Sequence, residues 1–393
     1  MRASLKLKIQ NSKPQKLPAL LINWFSTNHR DLPWRRTRDP YAVWVSEIML
    51  QQTQVKTVIP YWERWLRELP TVEAVARASP DKVHKLWEGL GYYTRARNLQ
   101  QAARQIVEKH GRKFPEHFDD VLALPGIGRY TAGAICSIAF NQPTPILDGN
   151  VIRVLTRVFG IAANPKEKET NARLWKLAEK LVVRAKTQRR KRKTQNNLAE
   201  LAPLREENSC SFLNQSLMEL GALICTPRNP QCVVCPVNRL CVALQQNRVN
   251  ELPNVGKRQI TTARHFAAFV AERNGHFLVR QRPAEVVNAH LWEFPNMEIL
   301  NGKFNPNLAA KSALGVEPSS LQPLCTVKHS ITRYRITLEA FRVNLERSCK
   351  TRLSQVGVWK TPAQLQQLAF TAAHGKILRT TSHHGPVPKS AGR

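Results

Sequence analysis

Acidic residues are scarce in this sequence. It contains 28 Asp and Glu residues against 60 Lys and Arg residues, and its formal net charge at pH 7 is +32. The isoelectric point is near 10.5. A charge excess of this size favours binding to a polyanion, which means DNA, RNA or an anionic membrane surface. The chain has 393 residues, enough for a sizeable core and for two or three domains of roughly 150 residues each.

Long apolar runs are missing as well. No uninterrupted run reaches the roughly 18 residues of a membrane-spanning helix, so we expect neither a membrane span nor a membrane partner. Residues 1–16 are basic but contain no apolar core of about 7–15 residues, so we do not expect a secretory signal. These features favour a soluble, intracellular protein that binds nucleic acid, associated with the nucleoid in the cytoplasm if bacterial, with a mobile basic tail over residues 1–16.

Cysteines number only eight, and half of them fall within seventeen residues. A disulfide framework is unusual in a large protein of a reducing compartment, so a metal site is the better interpretation. Four thiolates can hold tetrahedral zinc or an iron–sulfur cluster, and the spacing alone leaves both open. The spacing is C-x6-C-x2-C-x5-C, at Cys225, Cys232, Cys235 and Cys241.

The sequence LPGIGRY at Leu124–Tyr130 predicts a tight turn between two helices. Gly126 and Gly128 let the backbone come close to a ligand, and the second helix offers free N–H groups at its start. A phosphate would suit that position. Glycine spacing alone equally fits an ordinary helix–helix turn. The carboxylate of Asp148 follows, at a capping position just before the next helix.

Helical periodicity dominates residues 17–247. The predicted helices are Leu17–Asn28, Tyr41–Lys56, Pro60–Leu69, Asp81–Glu88, Arg95–His110, Phe118–Leu124, Tyr130–Phe140, Val151–Phe159, Thr170–Ala185 and Phe212–Ile224. Seven of the ten residues 184–193 are basic, and such runs are usually disordered. We interpret residues 186–209 as a basic surface insertion, either a solvated loop or a nonspecific phosphate contact.

The pattern changes after Asn247. Residues 248–261 form a polar linker, and an α/β domain is predicted over residues 262–385. Strands at His265–Glu272 and His276–Arg280 flank Asn274–Gly275, a strong hairpin signal. A further strand is predicted at Arg333–Asn344, where apolar residues alternate.

Together these motifs resemble the helix-hairpin-helix DNA glycosylase superfamily. LPGIG with the downstream Asp148 carries the resemblance, and SEIMLQQTQV at Ser46–Val55, GLGYY at Gly89–Tyr93 and the four spaced cysteines narrow it to MutY-type adenine glycosylases. It covers Leu20–Leu244 strongly, apart from the insertion, and the C-terminal third more weakly. It implies a mainly α glycosylase domain with a [4Fe–4S] cluster in the loop 225–241, followed by an α/β Nudix-like domain.

The resemblance also implies a pair of catalytic carboxylates. Glu47 is the acid that protonates adenine at N7, and Asp148 stabilises the oxocarbenium-like sugar or attacks it. Tyr130 stands where bifunctional relatives carry a Schiff-base lysine, so the chain should be monofunctional, and Asn150 supports the pocket. Taken singly, Glu47 could be a paired carboxylate, Asp148 a helix cap and Tyr130 a packing residue.

Base excision requires the adenine to leave the duplex, and a side chain to fill the gap. Gln52 and Tyr92 match the family's intercalating positions, and Leu90 lies beside Tyr92 near the opposite base. Gln215 matches the position that reads the adenine edge through its amide. Gln52 could also be part of a polar helix face, and Tyr92 a core aromatic. The residues that match the adenine pocket are Arg30, Leu32, Trp34 and Arg35.

Acidic residues are again missing from Asn307–Gly315, where a hydrolytic Nudix box needs several glutamates. The motif LWEFP at Leu291–Pro295 resembles the Nudix-like domain of this family, so we expect recognition there and no nucleotide hydrolysis. In the family that this chain resembles, a loop with the sequence Phe-Ser-His senses 8-oxoguanine. Ile331–Arg333 stands at that position here. Thr332 keeps a hydroxyl that can bond N7–H or O8 of the lesion, although a plain strand start is as good an explanation.

We therefore expect a monomeric glycosylase that removes adenine opposite 8-oxoguanine, or more weakly opposite guanine, in double-stranded DNA. One alternative is a thymine glycosylase acting on T·G mismatches, against which Glu47 and the C-terminal domain argue. Another is a nonenzymatic iron–sulfur protein that binds DNA. The joint presence of Glu47, Asp148 and Tyr130 argues against that alternative.

Overall fold

The computed structural model describes residues 16–193, 209–256, 261–300, 304–331, 333–345, 353 and 355–383. The described residues fall into two compact units. Unit 1 lies within Met1–Arg77 and Asn98–Lys257, and unit 2 lies within Ala78–Arg97 and Arg258–Arg393. Among the helices of the described residues, none is both long enough and apolar enough to cross a membrane.

The helices, numbered in chain order, begin with α1 at 16–28. They continue as α2 Pro40–Leu50, α3 Val55–Glu68, α4 Val72–Arg77, α5 Pro80–Trp87, α6 Thr94–Lys109, α7 Phe118–Leu122, α8 Arg129–Phe140, α9 Gly149–Phe159, α10 Lys168–Lys193, α11 Ser209–Leu223 and α12 Val242–Gln245. Unit 2 adds α13 Pro306–Leu314, α14 Pro362–Gln367 and α15 Ala372–His383, and short 3-10 turns cover Pro33–Arg35 and Asn238–Leu240.

Helix α2 is buried along nearly its whole length. It begins at Pro40, and the Asp39 side chain caps it by accepting from the N–H groups of Tyr41 and Ala42. The prediction that this helix runs to Lys56 is wrong, because it ends at Leu50 and a turn follows. Gln52 in that turn has φ +57°, a conformation that no α-helix contains.

The prediction that Pro60 opens a helix is also wrong. Helix α3 begins at Val55 and contains Pro60 in its second turn. A proline there removes one backbone hydrogen bond. Val58, Trp62 and Trp65 lie buried on one face of α3, and this burial outweighs the lost bond because a buried aromatic or aliphatic side chain contributes about 1.5–3 kcal/mol.

The glycine turn connects α7 and α8 as predicted. Gly126 has φ +76°, and a Cβ there would lie 2.6 Å from Cβ of Asn98, so both conformation and space require glycine. Helix α8 begins after Gly128, with no side chain capping its free N–H groups. Helix α9 then begins after Asp148, which is its N-cap, as the sequence predicted.

Helix α10 is longer than predicted. It continues to Lys193, so the expectation of disorder is wrong for residues 186–193; residues 194–208 of the predicted insertion lie outside the described residues. Leu181, Val182 and Ala185 stay buried at helical spacing. Lys186 Nζ also donates to the carbonyl oxygen of Asn141 at 3.1 Å.

Unit 2 contains a seven-stranded mixed sheet. Its strands are β1 Thr262–Arg273, β2 His276–Gln281, β3 Trp292–Glu293, β4 Asn296–Ile299, β5 Ser320–Ile331, β6 Tyr334–Asn344 and β7 Val358–Lys360. The order is β3-β2-β1-β6-β5, with β4 paired to β1 and β7 to β2. The β1–β6 pair is parallel, and the other pairs are antiparallel.

Each face of the sheet is covered by a helix. Ala268 and Val270 on β1 pack with α15, whereas Ala267 and Phe269 pack on the opposite face with α13. The hairpin predicted between β1 and β2 is confirmed: Asn274 and Gly275 have φ of 49° and 72°, as its two-residue turn requires. The α/β fold expected for the C-terminal region is therefore present.

Candidate active site

Unit 1 contains a cavity of about 570 Å³. It is lined by α2, by the segments before and after α2, by residues of α8, by the start of α9, and by one face of α11. The cavity brings together ten of the residues that the sequence implicated: Arg30, Leu32, Trp34, Arg35, Glu47, Gln52, Tyr130, Asp148, Asn150 and Gln215. This size suits a small-molecule or nucleobase ligand.

Glu47 is the one carboxylate on the buried helix α2, and it is only 6% exposed. Tyr130 donates its hydroxyl proton to Glu47 Oε2 at 2.9 Å. Burial raises the pKa of Glu47 to about 7, with a smaller contribution from the charge of Asp148, while the bond from Tyr130 and the charge of Arg35 oppose the rise. Near neutral pH this carboxyl group can therefore carry a proton and give it up.

Asp148 is held by the start of α9. Its Oδ1 accepts from the N–H of Val151 at 2.7 Å, and its Oδ2 accepts from Nδ2 of Asn150 at 2.9 Å. Burial raises the pKa of Asp148, but these two hydrogen bonds and the nearby Arg153 favour the ionised form and limit the rise. Glu47 thus lies in a site that favours its protonated form, whereas the hydrogen bonds to Asp148 stabilise its ionised form.

The Tyr130 side chain has a hydroxyl group that donates a hydrogen bond, and it has no amine that could form a Schiff base. Burial raises the pKa of its phenol well above the ordinary value, and the negative charges of Glu47 and Asp148 add to that effect. The hydroxyl therefore stays protonated and also lies 3.2 Å from Sδ of Met218. Its hydrogen bond fixes which oxygen of Glu47 remains available to a ligand.

Glu219 was missed by the sequence analysis and is the central anion of the cavity wall. Its side chain is 1% exposed and forms salt bridges with Arg30 and Arg35 at 2.7 and 2.9 Å. It also accepts from the backbone N–H of Arg30 at 2.8 Å. Burial alone would raise its pKa, but the bonds from both arginines lower the pKa to about 2. Its position four residues after Gln215, on the same helical face, is the signal that could have revealed it.

Arg153 was also missed, and it connects the start of α9 to the cysteine-containing loop. Its Nη2 donates to Asn150 Oδ1 at 2.8 Å and to the carbonyl oxygen of Gly221 at 2.7 Å, and its Nε donates to the carbonyl oxygen of Cys225 at 2.7 Å. An arginine buried with three carbonyl or amide acceptors fixes their relative positions. Arg153 therefore supports the amide that bonds Asp148.

The remaining predicted residues lie outside this cavity. Gly126 and Gly128 belong to the turn between α7 and α8. Leu90 and Tyr92 belong to unit 2, where Leu90 is buried and Tyr92 is 42% exposed with φ +48°. Thr332 lies outside the described residues, between the ends of β5 and β6.

The four clustered cysteines line one common cavity in unit 1, among apolar side chains of α9 and α11. Arg157 is the cation beside them, and its Nη1 lies 3.4 Å from Sγ of Cys225. Four thiols that line one apolar cavity beside the buried cation Arg157 fit a group held by thiolates, whose negative charge needs compensation. Within the described residues, no three His, Cys, Asp or Glu side chains are arranged to hold a single metal ion.

Three parts of the chain match known protein families. The HhH-GPD superfamily of base excision DNA repair proteins matches residues 45–180. The iron–sulfur binding domain of endonuclease III matches residues 225–241, and the NUDIX domain matches residues 267–380. The chain thus has an iron–sulfur binding motif within unit 1, in agreement with the predicted [4Fe–4S] cofactor.

Curated relatives of this chain include adenine DNA glycosylases. The adenine DNA glycosylase of Rattus norvegicus is 35% identical, covering 93% of this chain and 77% of its own length. That of Buchnera aphidicola subsp. Schizaphis graminum is 37% identical, covering 71% of this chain and 74% of its own length. A solved thermostable thymine-DNA glycosylase has 28% identity and a TM-score of 0.50, covering 60% of this chain and 98% of its own. The chain belongs to the adenine DNA glycosylase family.

Proposed function

We propose that the protein is a monofunctional DNA glycosylase that removes adenine mispaired with 8-oxoguanine or, more weakly, with guanine. The observation that carries the proposal is the pair of carboxyl groups in the cavity of unit 1. Glu47 is buried and its pKa is raised to about 7, whereas Asp148 accepts two hydrogen bonds that favour its anion. Glycoside cleavage needs such a pair.

The reaction begins with adenine extruded from the duplex into the cavity. Protonated Glu47 gives its proton to N7, so that the bond between the base and C1′ breaks and adenine leaves as a neutral molecule. The electron deficiency left on the sugar is stabilised by the Asp148 carboxylate, which can also bond C1′ transiently. Glu47, now ionised, takes a proton from water as the water adds to C1′. Tyr130 keeps the Glu47 carboxyl group oriented throughout.

Recognition of the base uses the polar wall of the cavity. Gln215 presents an amide, which can pair with the donor and acceptor on the adenine edge. Arg30 and Arg35 are held by Glu219, and Leu32 and Trp34 supply apolar contact with the ring. Thymine, the base of the alternative substrate, has no N7 for Glu47 to protonate. The thymine-DNA glycosylase that resembles this chain covers only 60% of it, whereas the adenine DNA glycosylase of Rattus norvegicus covers 93%, and this difference also favours adenine.

Duplex binding and recognition of the opposite base involve Gln52, which lines the cavity, and residues outside it. Gln52 and Tyr92 intercalate, Leu90 packs beside the opposite base, and Gly126 and Gly128 contact phosphate. Thr332 bonds the oxidised edge of 8-oxoguanine. The exposed side chains of Arg228 and Arg239 contact phosphate, and the protein acts as a monomer on double-stranded DNA.

We also propose that the [4Fe–4S] cluster is held by Cys225, Cys232, Cys235 and Cys241. When bound, the cluster supplies a rigid support for the loop on which Arg228 and Arg239 lie. It takes no part in breaking the glycosidic bond, since the carboxyl pair already provides the acid and the anion.

The test is single-turnover base release from duplexes that differ only in the base opposite adenine. We expect release of adenine opposite 8-oxoguanine to be fastest, release opposite guanine to be slower, and release opposite thymine to be negligible. Asp148→Asn is the matched control, because an amide keeps the shape but cannot stabilise a cation. Release of thymine from a T·G duplex without release of adenine would establish the alternative enzyme. Binding without release of any base would establish the nonenzymatic one.

A further inference from the structure

The segment Gly89–Tyr93 in unit 2 is held by side chains on both sides of it. The guanidinium group of Arg95 donates to the carbonyl oxygens of Leu90 and Gly91, both at 3.0 Å. Trp87 Nε1 donates to the same Gly91 oxygen at 3.1 Å. Because these bonds fix successive carbonyl groups, this loop is ordered before any ligand is present.

Tyr92 is the exposed residue of that loop. It combines 42% exposure with φ +48°, a conformation that is uncommon for a large side chain and costs about 1–3 kcal/mol. The guanidinium carbon of Arg95 lies 5.6 Å from the centre of its ring. The loop is therefore built to present an aromatic ring to the outside in one orientation.

The end of α5, directly before this loop, is attached to residues 368–370 of the same unit. Lys85 Nζ donates to the carbonyl oxygen of Leu368 at 3.1 Å. Glu88 Oε1 accepts from the backbone N–H of Phe370 at 2.9 Å, and its Oε2 pairs with Lys85 at 2.6 Å. Glu88 is the residue immediately before the loop, so the bonds of its carboxylate restrain the position at which the loop begins.

Residues 368–370 are in turn part of the framework of the sheet. The backbone N–H of Trp292 donates to the carbonyl oxygen of Ala369 at 2.9 Å, and the N–H of Thr371 donates to the carbonyl oxygen of Trp292 at 3.1 Å. Phe370 is 1% exposed, and its ring centre lies 5.8 Å from that of Phe294. A buried backbone at this position transmits displacement because it cannot deform continuously.

We propose that Glu88 and Lys85 are positioning residues for discrimination of the base opposite adenine. They hold the Leu90–Tyr92 loop against the C-terminal part of unit 2, so that this part determines how Tyr92 enters the duplex. The inference rests on the proposed function and deepens it. The sheet domain contributes to discrimination through the loop as well as through any direct contact with the lesion.

The experiment uses the full-length protein and single-turnover release of adenine opposite 8-oxoguanine and opposite guanine. Glu88→Ala removes the acceptor for Phe370, and we expect the ratio of the two rate constants to fall about fivefold, the effect of one lost hydrogen bond. Glu88→Gln keeps an oxygen acceptor and should retain most of the ratio. Asp81→Asn is the matched control, since it removes an exposed carboxylate from the same helix without touching residues 368–370.

A double-mutant cycle with Tyr92→Ala separates positioning from general destabilisation. If Glu88 acts through the loop, Glu88→Ala should not reduce the ratio further once the Tyr92 ring is absent. Additive effects on the ratio, or equal loss on both duplexes, would overturn the inference. If the Glu88→Ala protein does not fold, the same double-mutant cycle is measured with Lys85→Met. This variant leaves the bond between Glu88 and Phe370 in place. A wild type that prefers 8-oxoguanine but shows additive effects refutes the inference alone, whereas a wild type that releases no adenine refutes the proposed function.

Discussion

Replacing Glu47 with glutamine should stabilise the protein at alkaline pH while abolishing base release. Glutamine has the shape of the protonated carboxyl group and can still accept from Tyr130, but it has no proton to give. Loss of a general acid costs about 10²–10⁴ in rate. The gain in stability follows because ionised Glu47 is an unfavourable group in this buried position, and the variant never ionises.

The size of the gain comes from the pKa of Glu47. Folding raises this pKa from 4.5 to about 7, so the wild type binds the proton more tightly when folded. The contribution of Glu47 to the stability of the wild type is therefore fully present below pH 4.5 and is lost as pH rises through about 7. At roughly 1.4 kcal/mol per pKa unit, ionisation of Glu47 lowers the free energy of unfolding by about 3 kcal/mol at alkaline pH. The Glu47→Gln variant has no such loss because its amide does not ionise.

Urea unfolding of both proteins between about pH 5 and about pH 8.5 measures the effect. We expect the free energies of unfolding to separate progressively, with the variant more stable by roughly 2–3 kcal/mol at the upper end. Glu179→Gln, at an exposed position on α10, is the control and should give no such trend. A constant difference across this range, or a variant that is less stable at high pH, would refute the argument. In the wild type, the rate constant for base release should fall about tenfold per pH unit above about pH 7.

Glu219→Gln should lower the free energy of unfolding by about 3 kcal/mol, because it leaves the mostly buried guanidinium group of Arg35 and the partly exposed one of Arg30 without their anion; urea titration against Glu63→Gln, an exposed control, checks this. Borohydride should trap no covalent adduct on abasic DNA, since Tyr130 has no amine, and strong trapping that a lysine substitution abolishes would contradict this. Protein purified without oxygen should contain iron with negligible zinc, and stoichiometric zinc would contradict the cluster on the four clustered cysteines.

The carboxyl pair could be predicted from the sequence because both members lie in motifs that resemble those of the glycosylase family. Asp148 is an N-cap, which the residues around it determine, and Glu47 is a single acid within a buried helix. Glu219 and Arg153 could not be predicted in the same way. Their partners are distant along the chain, and an isolated charge in a sequence gives no sign that it will be buried and paired.

Two fold predictions failed because long-range burial outweighed local signals. Pro60 normally marks a helix start, but Val58 before it and Trp62 after it are buried on one face and keep α3 continuous. A run of basic residues such as 184–193 normally predicts disorder. Here α10 has a buried face that extends to Ala185, and the helix continues to Lys193. The grouping of residues 78–97 with the C-terminal region depends on contacts such as Glu88 with Phe370, which lie 282 residues apart in the chain.

The charged side chains that line the cavity, among the described residues, balance one another. Arg30 and Arg35 oppose Glu219 and Asp148, and Glu47 adds no charge while it holds its proton. A neutral nucleobase therefore enters a site of no net charge, without displacing counterions. Association of the +32 chain with a duplex does release counterions and weakens steeply as salt rises. Ionic strength should consequently control how much enzyme is bound to DNA while leaving the rate of base release from the bound complex almost unchanged.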